Sequence, residues 1–166
     1  MLEKQVVHEI EVFKDLTSQQ IDELYTWIEQ RRYDPGAEII KEGNQPNGLY
    51  LLTGGSVAVL KHNTAGKIKL TEIAAPSFFG EVGLLIGGAR SAGIRAETHV
   101  VVGYIPKLLF DQKLIANNIT ALRISLNIGR ILCHRLTNTS DMLASTALLA
   151  AHQARTTGIH PAEPSH

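Results

Sequence analysis

A mainly β architecture with flanking helices follows from three features of this 166-residue chain. Short runs of β-forming residues recur between Ala37 and Ile105 at near-regular spacing, divided by turn clusters. A helix-start signature precedes them, and a long helical pattern follows. Together these imply an antiparallel sandwich or jelly roll held between helices.

The first helix opens at Leu16-Thr17-Ser18-Gln19-Gln20-Ile21. Thr17 and Gln20 have the capping-box spacing, and Leu16 with Ile21 can form a hydrophobic staple. Ile21, Leu24, Tyr25 and Ile28 repeat at helical spacing, so the helix is expected to end near Arg32, before the turn Asp34-Pro35-Gly36. Strands are expected over 37–42, 48–53, 56–62, 67–73, 91–97 and 99–105. Asn44-Gln45-Pro46-Asn47-Gly48, Gly54-Gly55, Asn63-Thr64-Ala65-Gly66 and Ala75-Pro76-Ser77 punctuate them. Pro106 permits a first helical turn, and 107–116 reads as a short helix. Asn117-Asn118 breaks it, and Asn118 can cap a helix from Ile119 to about Ala151.

That last helix would be about 50 Å long, against a radius of gyration of about 15 Å for a compact chain of this size. It needs something to cover it. Leu122, Leu126, Gly129, Cys133, Leu136, Ser140, Leu143, Ala147 and Ala150 follow the four-three spacing of a coiled-coil seam, with Cys133 a small core residue on it. Ile124, Ile128 and Ile131 offer a second stripe to the barrel. The expectation is a homodimer through the long helix; the alternative is one amphipathic helix packed on its own domain. The organisation is therefore a barrel with short helices (1–116), a long helix (117–151) and a disordered polar tail (152–166).

Sixteen basic and sixteen acidic residues give a net charge of zero, which disfavours nucleic acid as main partner. One cysteine allows no internal disulfide and favours a reducing, cytoplasmic setting. No secretory signal opens the chain, and no apolar run reaches the length of a membrane span. The seven histidines are scattered without metal-motif spacing, and no nucleophile–base arrangement stands out. No catalytic residue, metal or cofactor is expected.

The chemistry concentrates in Phe79-Gly80-Glu81-Val82-Gly83-Leu84-Leu85 and Gly87-Gly88-Ala89-Arg90-Ser91-Ala92. Backbone N–H groups where Gly80-Glu81 opens a helix favour a phosphate. Arg90 supplies a planar fork of donors to the same oxygens, and ionised Glu81 can accept a ribose hydroxyl. Gly80, Gly83, Gly87 and Gly88 let backbone approach a ligand. A sugar and a phosphate held by one short segment suggest a cyclic nucleotide. The competing readings are an ordinary glycine turn with solvated charges, or Arg90 as a salt-bridge partner of Glu81.

The run FGEVGLL…ARSA resembles the phosphate-binding cassette of cyclic-nucleotide-binding domains, the family of the catabolite activator protein and protein-kinase-A regulatory subunits. Ala89 departs from the proline many members carry there. RRYDPGAEIIKEGNQPNGLYLLTGGSVAVL is similar to the family's opening barrel, so the resemblance covers about Phe13 to Leu143. It implies a double-stranded β-helix (jelly-roll) barrel, with Glu81 on the ribose 2′-hydroxyl and Arg90 on the cyclic phosphate. Gly80, Ser91 and Ala92 would add phosphate or sugar contacts, Ala92 through its N–H alone. Val59 and Leu70 are candidates for the apolar slot of the purine, although core packing explains them equally well. In activator-like members a Thr-Ser pair on the long helix contacts adenine, which makes Thr139 and Ser140 candidates. Ser91, where the family's cGMP binders carry threonine, favours cAMP and leaves cGMP open.

The resemblance thus implies a cAMP-sensing regulatory module that relays binding through its long helix to an unidentified protein partner. About fifteen residues follow that helix, too few for the winged helix-turn-helix of the family's transcription factors. The alternative is a structural or scaffolding homodimer whose cassette no longer binds nucleotide.

Overall fold

The structure, a computed structural model, describes residues 4–64 and 66–156, without the side chains of Ala151 and residues 153–156. The chain divides into two compact units between Ile128 and Gly129. The first contains α1 (Lys4–Glu9), a 3-10 turn at Glu11–Phe13, α2 (Ser18–Tyr25), eight strands, α3 (Glu81–Leu85), α4 (Lys107–Ile115) and the start of α5 (Ile119–Thr156). The strands are β1 (Glu29–Tyr33), β2 (Glu38–Ile40), β3 (Gly48–Gly54), β4 (Ser56–Asn63), β5 (Gly66–Ala74), β6 (Ser77–Phe79), β7 (Gly93–Ala96) and β8 (Val100–Pro106).

Two four-stranded antiparallel sheets form the barrel, ordered β1-β8-β3-β6 and β2-β7-β4-β5. This is the jelly-roll arrangement expected from the strand spacing and the family resemblance. Alternate residues of β3 (Tyr50, Leu52) and β8 (Val100, Val102, Tyr104) turn inward, while β5 is exposed along most of its length. Tyr50, Leu52, Val57, Phe79, Ile94, Val100, Val102 and Tyr104 build one buried cluster, with the Tyr50 and Phe79 rings stacked at 5.1 Å.

The largest departure from the sequence reading is β1. The helix does not reach Arg32; it ends at Tyr25, and 29–33 pairs with β8, Glu29 opposite Tyr104 and Tyr33 opposite Val100. Glu29-Gln30-Arg31-Arg32 is rich in helix formers, so local propensity pointed the wrong way. Pairing with β8 and the Arg31 guanidinium lying 3.4 Å over the Tyr104 ring decide the outcome. Ile28, expected on the helix's apolar face, lies beyond it, and Trp27 is the buried residue there. The capping box at Thr17–Gln20 forms as the spacing predicts, and Leu16 and Ile21 are both buried. The short elements α1 and β6 carried too little periodicity to be found.

Asn118 caps α5, its Oδ1 accepting from the Ala121 N–H at 3.0 Å. In the first unit, Ala121, Ile124 and Ile128 are buried, while Leu122 and Leu126 are exposed. Polar bonds fasten the same turns: Thr120 Oγ1 donates to Glu23 Oε2 at 2.6 Å and Asn127 Nδ2 to the Val12 carbonyl at 3.0 Å. In the second unit the helix continues to Thr156, so residues 152–156, expected in a disordered tail, are helical. The rest of that tail lies outside the described residues. Cys133 is exposed in the single chain.

Candidate functional site

Gly80 takes the left-handed conformation (φ 86°) as N-cap of α3, and its carbonyl accepts the Leu84 N–H at 3.1 Å. A Cβ there would lie 2.9 Å from Arg90 Nη1 and 3.0 Å from the Gly48 carbonyl oxygen, so glycine is required twice over. A Cβ on Gly83 would lie 2.7 Å from Pro46 Cβ. The first-turn N–H groups of α3 have no partner within the helix. At its other end, Lys107 Nζ donates to the Leu84 carbonyl at 3.0 Å and pairs with Asp111 at 2.9 Å.

Arg90 and Glu81 are both buried, at 6% and 8% exposure. The guanidinium donates to three acceptors: the Gly80 carbonyl at 3.0 Å, the Gly48 carbonyl at 2.9 Å and Asn47 Oδ1 at 2.9 Å. These occupy three of an arginine's five N–H donors. Burial pushes the Arg90 pKa down, opposed by the surrounding Tyr50, Tyr104 and the nearby Glu81 carboxylate. A buried cation so placed is compensated by neutral carbonyls and retains an affinity for a further anion. A cavity of about 60 Å³ opens beside it, walled by Ile40, Asn44, Gln45 and Asn47 among others.

The Asn44–Gly48 turn does more than separate strands. Arg90 N–H donates to the Asn44 carbonyl at 2.8 Å and Gly43 N–H to the Arg90 carbonyl at 2.9 Å, so this turn grips the arginine by backbone as well as side chain. Asn47 also accepts from the Tyr50 hydroxyl at 3.2 Å, while its carbonyl accepts from Tyr104 Oη and from the Lys107 N–H. Nothing in the sequence marked Asn47 beyond its turn chemistry, because its partners come from β3, β8, α4 and the cassette.

The other residues singled out by sequence fall as follows. Ser91 and Ala92 follow Arg90 in an irregular stretch, so the strand expected from 91 begins only at Gly93. Val59, opposite Thr71 on β5 and Ile94 on β7, packs against the buried cluster. Leu70 sits at the β4–β5 bulge beside Val59 and is 55% exposed. Thr139 and Ser140 belong to the second unit, where their hydroxyls donate to the Arg135 and Leu136 carbonyls at 2.8 and 3.0 Å. Among the described residues no group of three or more His, Cys, Asp or Glu side chains could hold a metal. No helix among them is long and apolar enough to cross a membrane.

A buried arginine lies beneath a glycine-capped helix in a jelly-roll barrel, and the sequence relationships place that barrel in a family. A model of the cyclic nucleotide-binding domain matches residues 30–117, and the chain belongs to that family. It is 32% identical over 108 residues to the cAMP-dependent protein kinase regulatory subunit of Colletotrichum orbiculare, covering 65% of this chain and 27% of that one. It is 32% identical over 139 residues to the cAMP-activated global transcriptional regulator CRP of Pasteurella multocida, covering 80% and 65%. The chain thus spans about a quarter of the kinase subunit. Among solved structures, a cyclic nucleotide-binding domain from Methylobacillus flagellatus superposes with a TM-score of 0.74 over 86% of this chain and 80% of that one, at 19% identity. The Thermus thermophilus catabolite activator protein gives 0.72 over 82% and 63%, at 22% identity; both show the shared fold.

Proposed function

We propose that this chain binds cAMP in preference to cGMP and acts as a regulatory module, not an enzyme, passing the bound state through α5 to a protein partner. The observation that carries this reading is the buried Arg90 guanidinium beneath the first turn of α3, with buried Glu81 opening that helix. Arg90 and the α3 N–H groups would take the cyclic phosphate, with Ser91 and Ala92 beside them, and Glu81 would accept the ribose 2′-hydroxyl. Val59 and Leu70 would flank the base. Ser91 is the basis for favouring cAMP, and relatives named for cAMP support the same direction.

A ligand can move α5 only by binding one helix position better than another. The exposed stripe of Leu122 and Leu126, continued by Leu136 and Leu143, supports pairing of two chains along the helix. Titration calorimetry with cAMP and with cGMP tests the reading. Binding of cAMP at least several-fold tighter than cGMP is expected; heat from neither nucleotide would leave the scaffolding alternative.

A further inference from the structure

Lys61, on β4, is tied to the cassette from outside it. Its Nζ donates to the Ser91 carbonyl at 2.5 Å and pairs with Glu42 Oε1 at 2.7 Å. Glu42 is itself anchored, since its Oε2 accepts the His62 backbone N–H at 2.8 Å and approaches His62 Nδ1 at 3.1 Å. Lys61 and the His62 N–H hold the Glu42 carboxyl down to about 2, so it remains an anion that fixes the lysine head. Glu42 also begins the turn whose Gly43 and Asn44 bond the Arg90 backbone on both sides.

The Ser91 carbonyl and the Ala92 N–H belong to one planar peptide and point in opposite directions. A cation drawing on that carbonyl therefore fixes where the Ala92 N–H points and polarises it as a donor. We infer that Lys61, held by Glu42, is a positioning residue for ligand binding that aims and strengthens the Ala92 N–H toward a phosphate oxygen. The inference rests on the cyclic-nucleotide reading of the site. It assigns a role to a residue that lies thirty positions before Ser91 and outside the cassette motif.

A purely structural tie would change stability and weaken every ligand alike, so the test reads discrimination. Calorimetry would use cAMP and its two phosphorothioates, in each of which sulfur, a weaker acceptor, replaces one exocyclic phosphate oxygen. In the wild-type chain, sulfur at the oxygen facing Ala92 lowers affinity. Lys61→Met is expected to weaken cAMP about fivefold, less than a fully buried charged hydrogen bond because the lysine is partly exposed, and to shrink the penalty for sulfur at that one oxygen. Lys61→Arg should restore both. If Lys61→Met fails to fold, as judged by thermal melting without ligand, Lys61→Gln carries the same expectations. Unchanged cAMP affinity, or an equal loss for all three ligands, overturns the role of Lys61 while leaving the site reading intact. A wild-type chain that binds no cAMP overturns both.

Discussion

Residues 80–92 and residues 129–150 are opposite solutions to the use of a chain. The first stretch is irregular: a five-residue helix, left-handed glycines at 80, 87 and 88, and a bend into β7. Yet it buries two charged side chains and is gripped by the Asn44–Gly48 turn. The second is unbroken helix, and its Leu136, Met142, Leu143, Leu148 and Leu149 are 65–73% exposed. The hydroxyls of Thr137, Thr139, Ser140, Ser145 and Thr146 bond the carbonyl four residues back in their own helix. Regular backbone therefore coincides here with the least tertiary specification. The irregular stretch is specified by neighbours at every step, as a binding segment must be.

The sharpest way to probe the contrast lies within α5, where its two stripes can be separated. Ile124→Ala, in the fully buried stripe, should cost about 2–5 kcal/mol in a denaturant melt, while Leu126→Ala, on the open one, should stay within about 0.5 kcal/mol for the dissociated chain. Comparable losses would mean that both stripes are core. Next comes Arg90→Ala, expected to weaken cAMP tenfold or more by calorimetry. It removes a charge-assisted hydrogen bond worth about 1.5–3 kcal/mol, and each 1.4 kcal/mol is about tenfold. Arg90→Lys should not recover the loss, because an ammonium cannot reproduce a planar fork; unchanged affinity in either variant would refute the phosphate role.

Gly80→Ala should destabilise the fold by about 1–3 kcal/mol through its left-handed φ, with a further affinity loss as its methyl meets Arg90 Nη1. Thr17→Ala removes the α2 capping box at about 1 kcal/mol in thermal melting. The smallest effect on the folded chain is expected from Leu143→Asp, within about 0.5 kcal/mol. The same change should turn a sedimenting dimer into a monomer, and a dimer that survives it pairs elsewhere.

Much of this is legible in the sequence. The capping box at Thr17, the Asn118 cap, the strands at 48–53 and 56–62 and the short helix after Pro106 rest on signals spanning four to eight residues. The cassette was legible too, because Gly80, Glu81 and Arg90 lie within eleven residues and each brings its own chemistry. The strand at 29–33 was not, since a polar segment rich in helix formers becomes a strand only when β8 lies beside it. Nor were Asn47 or the Lys61–Glu42 pair, whose partners, Tyr50 apart, lie at sequence separations of 19 to 60 residues.

What the amino-acid order determined alone was whatever acts over one or two turns: caps, turns, apolar periodicity, and glycines where a side chain cannot fit. Such interactions are complete within a short segment and need no other part of the chain. Tertiary structure alone decided which strands pair, and hence which carbonyls surround Arg90 and which lysine reaches the Ser91 peptide. A shift of one residue in register turns every side chain of a strand to the opposite face. The identity of an arginine's neighbours is therefore a property of the closed barrel.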